Sequence, residues 1–426
     1  MRKVPSYDRR MTATTTIAGD EGSAVPLRRD AGVIGLVGLA HMISHFSQLL
    51  LAPLFPWLKD AFDASYTQLG FLMTLFFVVS CGVQAASGFL VDRMGPRPIL
   101  FGGLGLLGLA AFGFAISPNY WAMACCSVLA GIGNGVFHPA DYTLLNRKVS
   151  ALRLGHAYSF HGITGSLGWA LAPALLVPLA IAFSWRVALA AAGSLAVLVM
   201  IVLWFNRATL ALPVLVTARP RAGAERDEGN FAFLRVPAVW MCFGFFFFYA
   251  IVLSVIQAFA PEAGRQLHGV PVALSAMCLT VYMVCSAGGT VLGGFLAADP
   301  KRCERTVAAG FAVAALIALS IGFGPVPALA VPALFGAMGF ATGIAAPSRD
   351  LLVKRSSPEN ATGRVYGVVY SGLDIGQAIA PLLFGTLMDR HEFQGVWVGV
   401  AVFQAILVAS AFNMGRVRRA RLVPVG

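Results

Sequence analysis

Charge is scarce in this chain: 12% of its 426 residues are Asp, Glu, Lys or Arg, against 58% that are hydrophobic. A soluble domain needs a larger polar share to cover its surface, so a water-soluble globule is excluded and a bilayer is the solvent this composition fits. Cysteine pairing is missing as well. None of the seven cysteines forms a C-x-x-C pair, which argues against a zinc finger or a disulfide framework. Cys81, Cys125, Cys126, Cys242, Cys278 and Cys285 lie in apolar stretches and read as small packing residues. No Ser-His-Asp set, H-E-x-x-H or Gly-rich phosphate loop occurs in a plausible context, so neither an enzyme nor an ATP-driven pump is expected, and no cofactor is called for. Acidic residues are few, 19 against 31 basic ones. The resulting charge of +12 would suit nucleic acid, but the placement of the basic residues argues otherwise. Glycine, by contrast, is plentiful at 46 residues, and small residues let membrane helices approach closely.

A spanning helix needs about 20 mostly apolar residues. Twelve such runs are present, near 33–55, 67–90, 98–116, 120–143, 157–181 and 185–205, then 235–260, 272–297, 304–323, 326–347, 362–388 and 395–415. Counted along these spans, the face away from the N-terminus holds only Lys59, Arg186, Arg265 and Arg390 of the 31 basic residues. The excess of Lys and Arg on cytoplasmic loops therefore predicts both termini inside, with the chain in a bacterial-type inner membrane. The polar, Arg-rich residues 1–32 read as a cytoplasmic tail rather than a signal peptide, and 416–426 as a second tail.

Residues 155–175 read GHAYSFHGITGSLGWALAPAL and residues 363–383 read GRVYGVVYSGLDIGQAIAPLL. At an offset of 208, Gly155, Tyr158, Gly168, Ala170, Ala172 and Pro173 recur as Gly363, Tyr366, Gly376, Ala378, Ala380 and Pro381. Gly131, Gly135 and Pro139 recur likewise as Gly339, Gly343 and Pro347. An offset of half a chain indicates a duplicated six-helix unit, 33–205 and 235–415, joined by a cytoplasmic linker at 206–234.

After the second span the chain reads Gly88-Phe-Leu-Val-Asp92-Arg93-Met-Gly-Pro-Arg97, and after the eighth Gly294-Phe-Leu-Ala-Ala-Asp299-Pro-Lys301-Arg302. This resembles the loop motif of major facilitator transporters, which implies an all-α membrane fold of two six-helix halves with the substrate site at midplane between them. The resemblance implies a gating role for Asp92, Arg93, Arg97, Asp299 and Lys301, each aspartate facing a helix N-terminus or an arginine across the seam. His41 and His45, the Gly-Val-Phe-His138-Pro139 segment and the Gly155-His-Ala-Tyr-Ser-Phe-His161-Gly segment are similar to the fosmidomycin-resistance branch, which implies proton-driven export of a small toxic compound. Two positions depart from drug–proton antiporters: Ser127 stands where many have an arginine, and Trp169 where their fifth helix has a proline.

Ionisable groups at bilayer depth are costly and mark function by default. Asp374 lies ten residues from Arg364, about 15 Å deep, where a carboxylate can take up and release a proton during a cycle. Gln377 is one turn further on and could share its substrate or a hydrogen bond. His41 and His45 share a helix face with Gln48 and suit proton or substrate contact. They could also hold a metal ion, but no carboxylate or cysteine clearly joins them, so no metal site is expected. Asn134, His138 and Asp141 fall at i, i+4 and i+7, with His161 expected nearby; Asp141 pairs with His138 or an arginine to brace the gate, or meets substrate. The Phe245–Phe248 run reads as packing or lipid-facing, with aromatic lining of the cavity as the alternative.

These readings lead to a monomeric secondary transporter with the lipid bilayer, a proton and a small-molecule substrate as partners and no nucleic acid. Proton-coupled export of a small polar or anionic organic compound is the leading expectation, proton-coupled uptake of an organic acid the alternative, and a non-transporting membrane sensor a remote third.

Overall fold

The computed structural model describes residues 26–212, 235, 237–297, 302–356 and 363–422. The expected gating residues Asp299 and Lys301, most of the linker and residues 1–25 lie outside the described residues. Fifteen α-helices follow in order. They are α1 (Leu27–Gln48), α2 (Phe55–Phe62), α3 (Tyr66–Met94), α4 (Pro96–Ile116), α5 (Tyr120–Asn134), α6 (Phe137–Lys148), α7 (Leu154–Ala182) and α8 (Trp185–Phe205). After the linker come α9 (Pro237–Ala258), α10 (Ala260–His268), α11 (Val272–Leu296), α12 (Cys303–Phe323), α13 (Val331–Ser356), α14 (Gly363–Asp389) and α15 (Phe393–Leu422). Among the described residues, eleven helical segments are long and apolar enough to cross a bilayer. Helix α14 occupies the place of the remaining expected span.

Three boundaries differ from expectation, each for a local reason. α1 begins at Leu27, ahead of residue 33, because Pro26 precedes its first residue and fits a helix start, and because Asp30 is fully buried and accepts from Ser150 Oγ (2.6 Å) and Arg153 Nη1 (2.9 Å). The fourth expected span is two helices. Pro139 has no N–H for the carbonyl of Gly135 and its ring crowds that carbonyl, so the chain breaks between Asn134 and Phe137. α13 runs through Pro347 to Ser356, which carries Arg349 into the helix instead of leaving it in a loop.

The helices pack by the same plan twice. α1 lies on α7, α4 on α8 and α5, and α3 on α5; correspondingly α9 lies on α14, α12 on α15 and α13, and α11 on α13. The repeated glycines explain the closeness. A Cβ on Gly135 would sit 2.6 Å from the Ser80 carbonyl oxygen, and one on Gly343 2.1 Å from that of Ser286. Gly168 and Gly376 similarly face the carbonyls of Met42 and Phe247, at 2.2 and 2.4 Å. Large apolar side chains such as Phe89, Trp121, Phe205 and Phe295 point outward, the pattern of a surface wetted by lipid. Phe245 and Phe246 are buried and pack inside, while Phe247 and Phe248 are partly exposed.

The two groups of helices meet where α14 packs on α3 and α11 on α7. At the end away from the start of α1, Asp389 accepts from the backbone N–H groups of Tyr66 (2.6 Å) and Thr67 (2.9 Å) and from Thr67 Oγ1 (2.6 Å). Tyr66 donates its hydroxyl to Glu262 (3.3 Å), which Arg265 grips with two bonds of 2.7 Å. Further in, Thr74 donates to the Ala378 carbonyl (2.6 Å) and Thr280 to that of Ala170 (3.1 Å). Gln84 of α3 meets Asp374 of α14 at the same seam.

Candidate functional site: a histidine cluster and a seam carboxylate

Helices α1, α5, α6 and α7 bring the expected polar residues of the first helical group together. His41 and His45, one turn apart on α1, have ring centroids 4.3 Å from each other. The His161 ring, from α7, stacks on His41 at 3.5 Å, and the His138 ring, from α6, lies 5.3 Å from His41. Asp141, fully buried one turn after His138 on α6, places Oδ2 3.1 Å from His161 Nε2 and 3.2 Å from His41 Nδ1. The expected Asp141–His138 or Asp141–Arg pairing is therefore replaced by pairing with His161 and His41. The break ahead of Phe137 also separates Asn134 from Asp141: they belong to two helices, so their spacing does not keep them on one regular face.

Asn134 serves a separate network. Its amide donates to Ser80 Oγ (2.9 Å) and accepts from Ser44 Oγ (2.7 Å), with Gln48 Nε2 at 3.5 Å. Gln48 in turn accepts from Trp169 Nε1 (2.9 Å), and the Trp169 ring lies 4.3 Å from that of His45. Trp169, noticed in the sequence only as a missing proline, thus closes the polar face of α1. A buried indole N–H needs an acceptor, and the glutamine one face away was the signal for it.

Asp374 stands apart from this cluster, at the seam between the groups. Gln84 of α3 donates to its Oδ2 (3.3 Å), and the Cys81 thiol lies on the same side of the seam, near the carboxylate. Gln377 is buried with its Oε1 unpartnered, while Asp374 turns to Gln84 instead. The second group holds a charged residue that the span boundaries concealed. Arg349 is 12% exposed, lies 4.4 Å from the Tyr249 ring and 5.6 Å from that of Phe246, and donates Nε to Asp350 at 2.8 Å. It stands 208 residues after Asp141, the repeat offset, so the two charges hold equivalent positions in the two copies.

Of the expected gating residues, Asp92 and Arg93 are exposed at the end of α3, and Arg97 donates to the Arg207 carbonyl (3.4 Å) within its own group. Lys148 binds the carbonyl of Ala211 (2.7 Å), so basic residues tie down the start of the linker.

Comparison with known proteins agrees with this geometry. The family model described as Major Facilitator Superfamily matches residues 37–337 and 305–422. The chain is 25% identical over 389 residues to the uncharacterized MFS-type transporter YfnC of Bacillus subtilis, covering 89% of this chain and 92% of that one. It is 26% identical over 292 residues to the fosmidomycin resistance protein of Escherichia coli, covering 65% and 68%. A bacterial homologue of the human lysosomal transporter Spinster, in an inward-facing and occupied conformation, superposes with a TM-score of 0.71 at 16% identity, covering 90% and 96%. A family match across most of the sequence, with the matching fold, establishes that the chain belongs to the Major Facilitator Superfamily as a multi-pass protein of the bacterial inner membrane.

Proposed function

We propose that this secondary transporter, working by alternating access, exports a small polar or anionic organic compound in exchange for protons. The observation that carries the reading is the Asp374–Gln84 bond. A carboxylate enclosed in apolar surroundings is stable when neutral or when tightly bonded, and Asp374 has its partners on the opposite side of a seam that must open. Parting α14 from α3 would hydrate it and favour loss of a proton; closing them would favour its return. The titratable group facing it from α3 is the Cys81 thiol. Proton binding is thereby tied to the position of the two helical groups, which is the coupling that a secondary transporter needs.

Two further features support the substrate class. Arg349, held against the Tyr249 and Phe246 rings and paired with the half-exposed Asp350, offers a positive charge suited to an anion. The Gln48–Asn134–Trp169 face opposite offers hydrogen bonds to an oxygen-rich compound. Likeness to a fosmidomycin resistance protein supports the outward direction. In this reading both ends of the chain are cytoplasmic, twelve spans form two six-helix halves, the Asp92 and Asp299 loops control the cytoplasmic side, and the monomer is the working unit. The far-end contacts through Asp389 and Glu262 then close the periplasmic side.

Cells lacking their major efflux pumps, expressing wild type or Asp374→Asn, test the reading against a panel of small anionic antimetabolites that includes fosmidomycin. Raised tolerance with the wild type and its loss in the variant is the expected result. Sensitisation by the wild type would overturn export in favour of uptake. Tolerance kept by Asp374→Asn would remove the proton from that carboxylate.

A further inference from the structure

Four imidazoles and one carboxylate are packed together inside the first helical group, and their nitrogens are poorly served. His138 Nδ1, His45 Nδ1 and Asp141 Oδ1 are buried without a hydrogen-bond partner. His41 Nδ1 lies 3.2 Å from Asp141 Oδ2 yet lacks the alignment of a hydrogen bond. Unpartnered polar atoms away from water are costly, and a cluster of them in one place asks for a shared partner.

The spacing indicates what that partner is. One ring nitrogen from each of His41, His138 and His161 lies within 4.8 Å of the others. Around a tetrahedral zinc ion with bonds near 2.0–2.1 Å, neighbouring ligand atoms stand about 3.3 Å apart. The two distances from Asp141 Oδ2, 3.2 Å to His41 Nδ1 and 3.1 Å to His161 Nε2, already match such an edge. To close around an ion, His138 has to move in and the stacked rings of His41 and His161 have to turn toward it; His138 sits at the start of α6 beside the break at Gly135–Val136, where a small shift is easiest. Neutral imidazoles with one carboxylate are a donor set that first-row divalent ions such as Zn²⁺ prefer.

We propose that His41, His138, His161 and Asp141 form a binding site for a divalent transition-metal ion of the zinc class, with His45 and Trp169 packed behind it. Three helices, α1, α6 and α7, would be clamped by the ion. All four ligands come from one helical group, so the site stays intact while the two groups move relative to each other. The inference stands independently of the transport reading, which rests on Asp374.

The full-length protein, purified in detergent with any histidine tag removed, is stripped with chelator and dialysed against Zn²⁺ or Co²⁺. Bound metal is counted by mass spectrometry and affinity measured by calorimetry. One ion per chain is expected, and Co²⁺ should show the intense visible bands of a tetrahedral site. Asp141→Asn and His138→Gln should each weaken binding at least about tenfold, while Asp374→Asn should bind as wild type does. His138→Cys keeps a metal ligand, and with Co²⁺ it should add a near-ultraviolet thiolate-to-metal band; that band places the ion at this residue even if other variants fold poorly. No stoichiometric metal in a folded wild type, or affinity unchanged in both Asp141→Asn and His138→Gln, would overturn the site and leave the cluster as carboxylate–imidazole pairing alone.

Discussion

Gly168 lies where α7 crosses α1, and an added Cβ would stand 2.2 Å from the Met42 carbonyl oxygen and 3.0 Å from His45 Cβ. The obstacle is backbone, which has no rotamer to change, so α7 would have to move away from α1 and carry His161 with it. Overpacking of this kind costs about 3 kcal/mol or more. Gly168→Val should accordingly lower the thermal unfolding midpoint in detergent by several degrees, and a melt indistinguishable from wild type would show that α7 yields cheaply. At this scale the sequence marked polar residues that come together and said less about what each one touches. His41, His45, His138, His161 and Asp141 were all legible as rare polar groups in apolar spans. That Asp141 would choose His161 and His41 depended on a helix break whose angle no spacing rule contains.

At the scale of elements, the duplicated glycines indicated a repeated unit, and they sit where α1 packs on α7 and α9 on α14. Helix ends were harder to read. Apolar composition fades at Pro347, yet α13 continues because its N-terminal turns are already formed and Pro347 removes one hydrogen bond without ending the rest. Arg349 was hidden by that continuation. Element ends also hold the seam. The Asp389 carboxylate at the close of α14 receives the first amides of α3, where the helix leaves N–H groups without internal partners. Bonds to a charged acceptor at a partly wet site stabilise by about 1–2 kcal/mol. Asp389→Ala should therefore speed amide exchange in the first turn of α3 by about 5- to 30-fold, read by mass spectrometry on peptides covering 66–70. Asp389→Asn should restore part of the protection. Unchanged exchange in the alanine variant would mean that the Ser65–Gln68 capping box alone secures this turn.

For the whole molecule, the question is how firmly the far end is shut. α3 and α14 touch there through glycines on both sides: a Cβ on Gly70 would lie 2.6 Å from the Pro381 carbonyl oxygen, and one on Gly385 2.9 Å from Thr67 Cα. Neither contact belongs to the folding of one helical group. Filling one of them should spare each group and penalise the closed seam selectively, unlike a change at Gly168. Gly70→Leu would destabilise the closed arrangement by about 1–3 kcal/mol, shifting the balance toward far-end opening by roughly 5- to 150-fold. Spin labels at Asp60→Cys and Arg390→Cys, two exposed positions flanking the seam, report the change in a background without native cysteines. Wild type should give mainly the short distance, and Gly70→Leu a longer one that acid or substrate reverses only in part. If the variant keeps the short distance while unfolding at a lower temperature, α3 is being distorted within its own group. The seam would then be held by the Asp389 and Glu262 bonds rather than by the fit of α3 against α14.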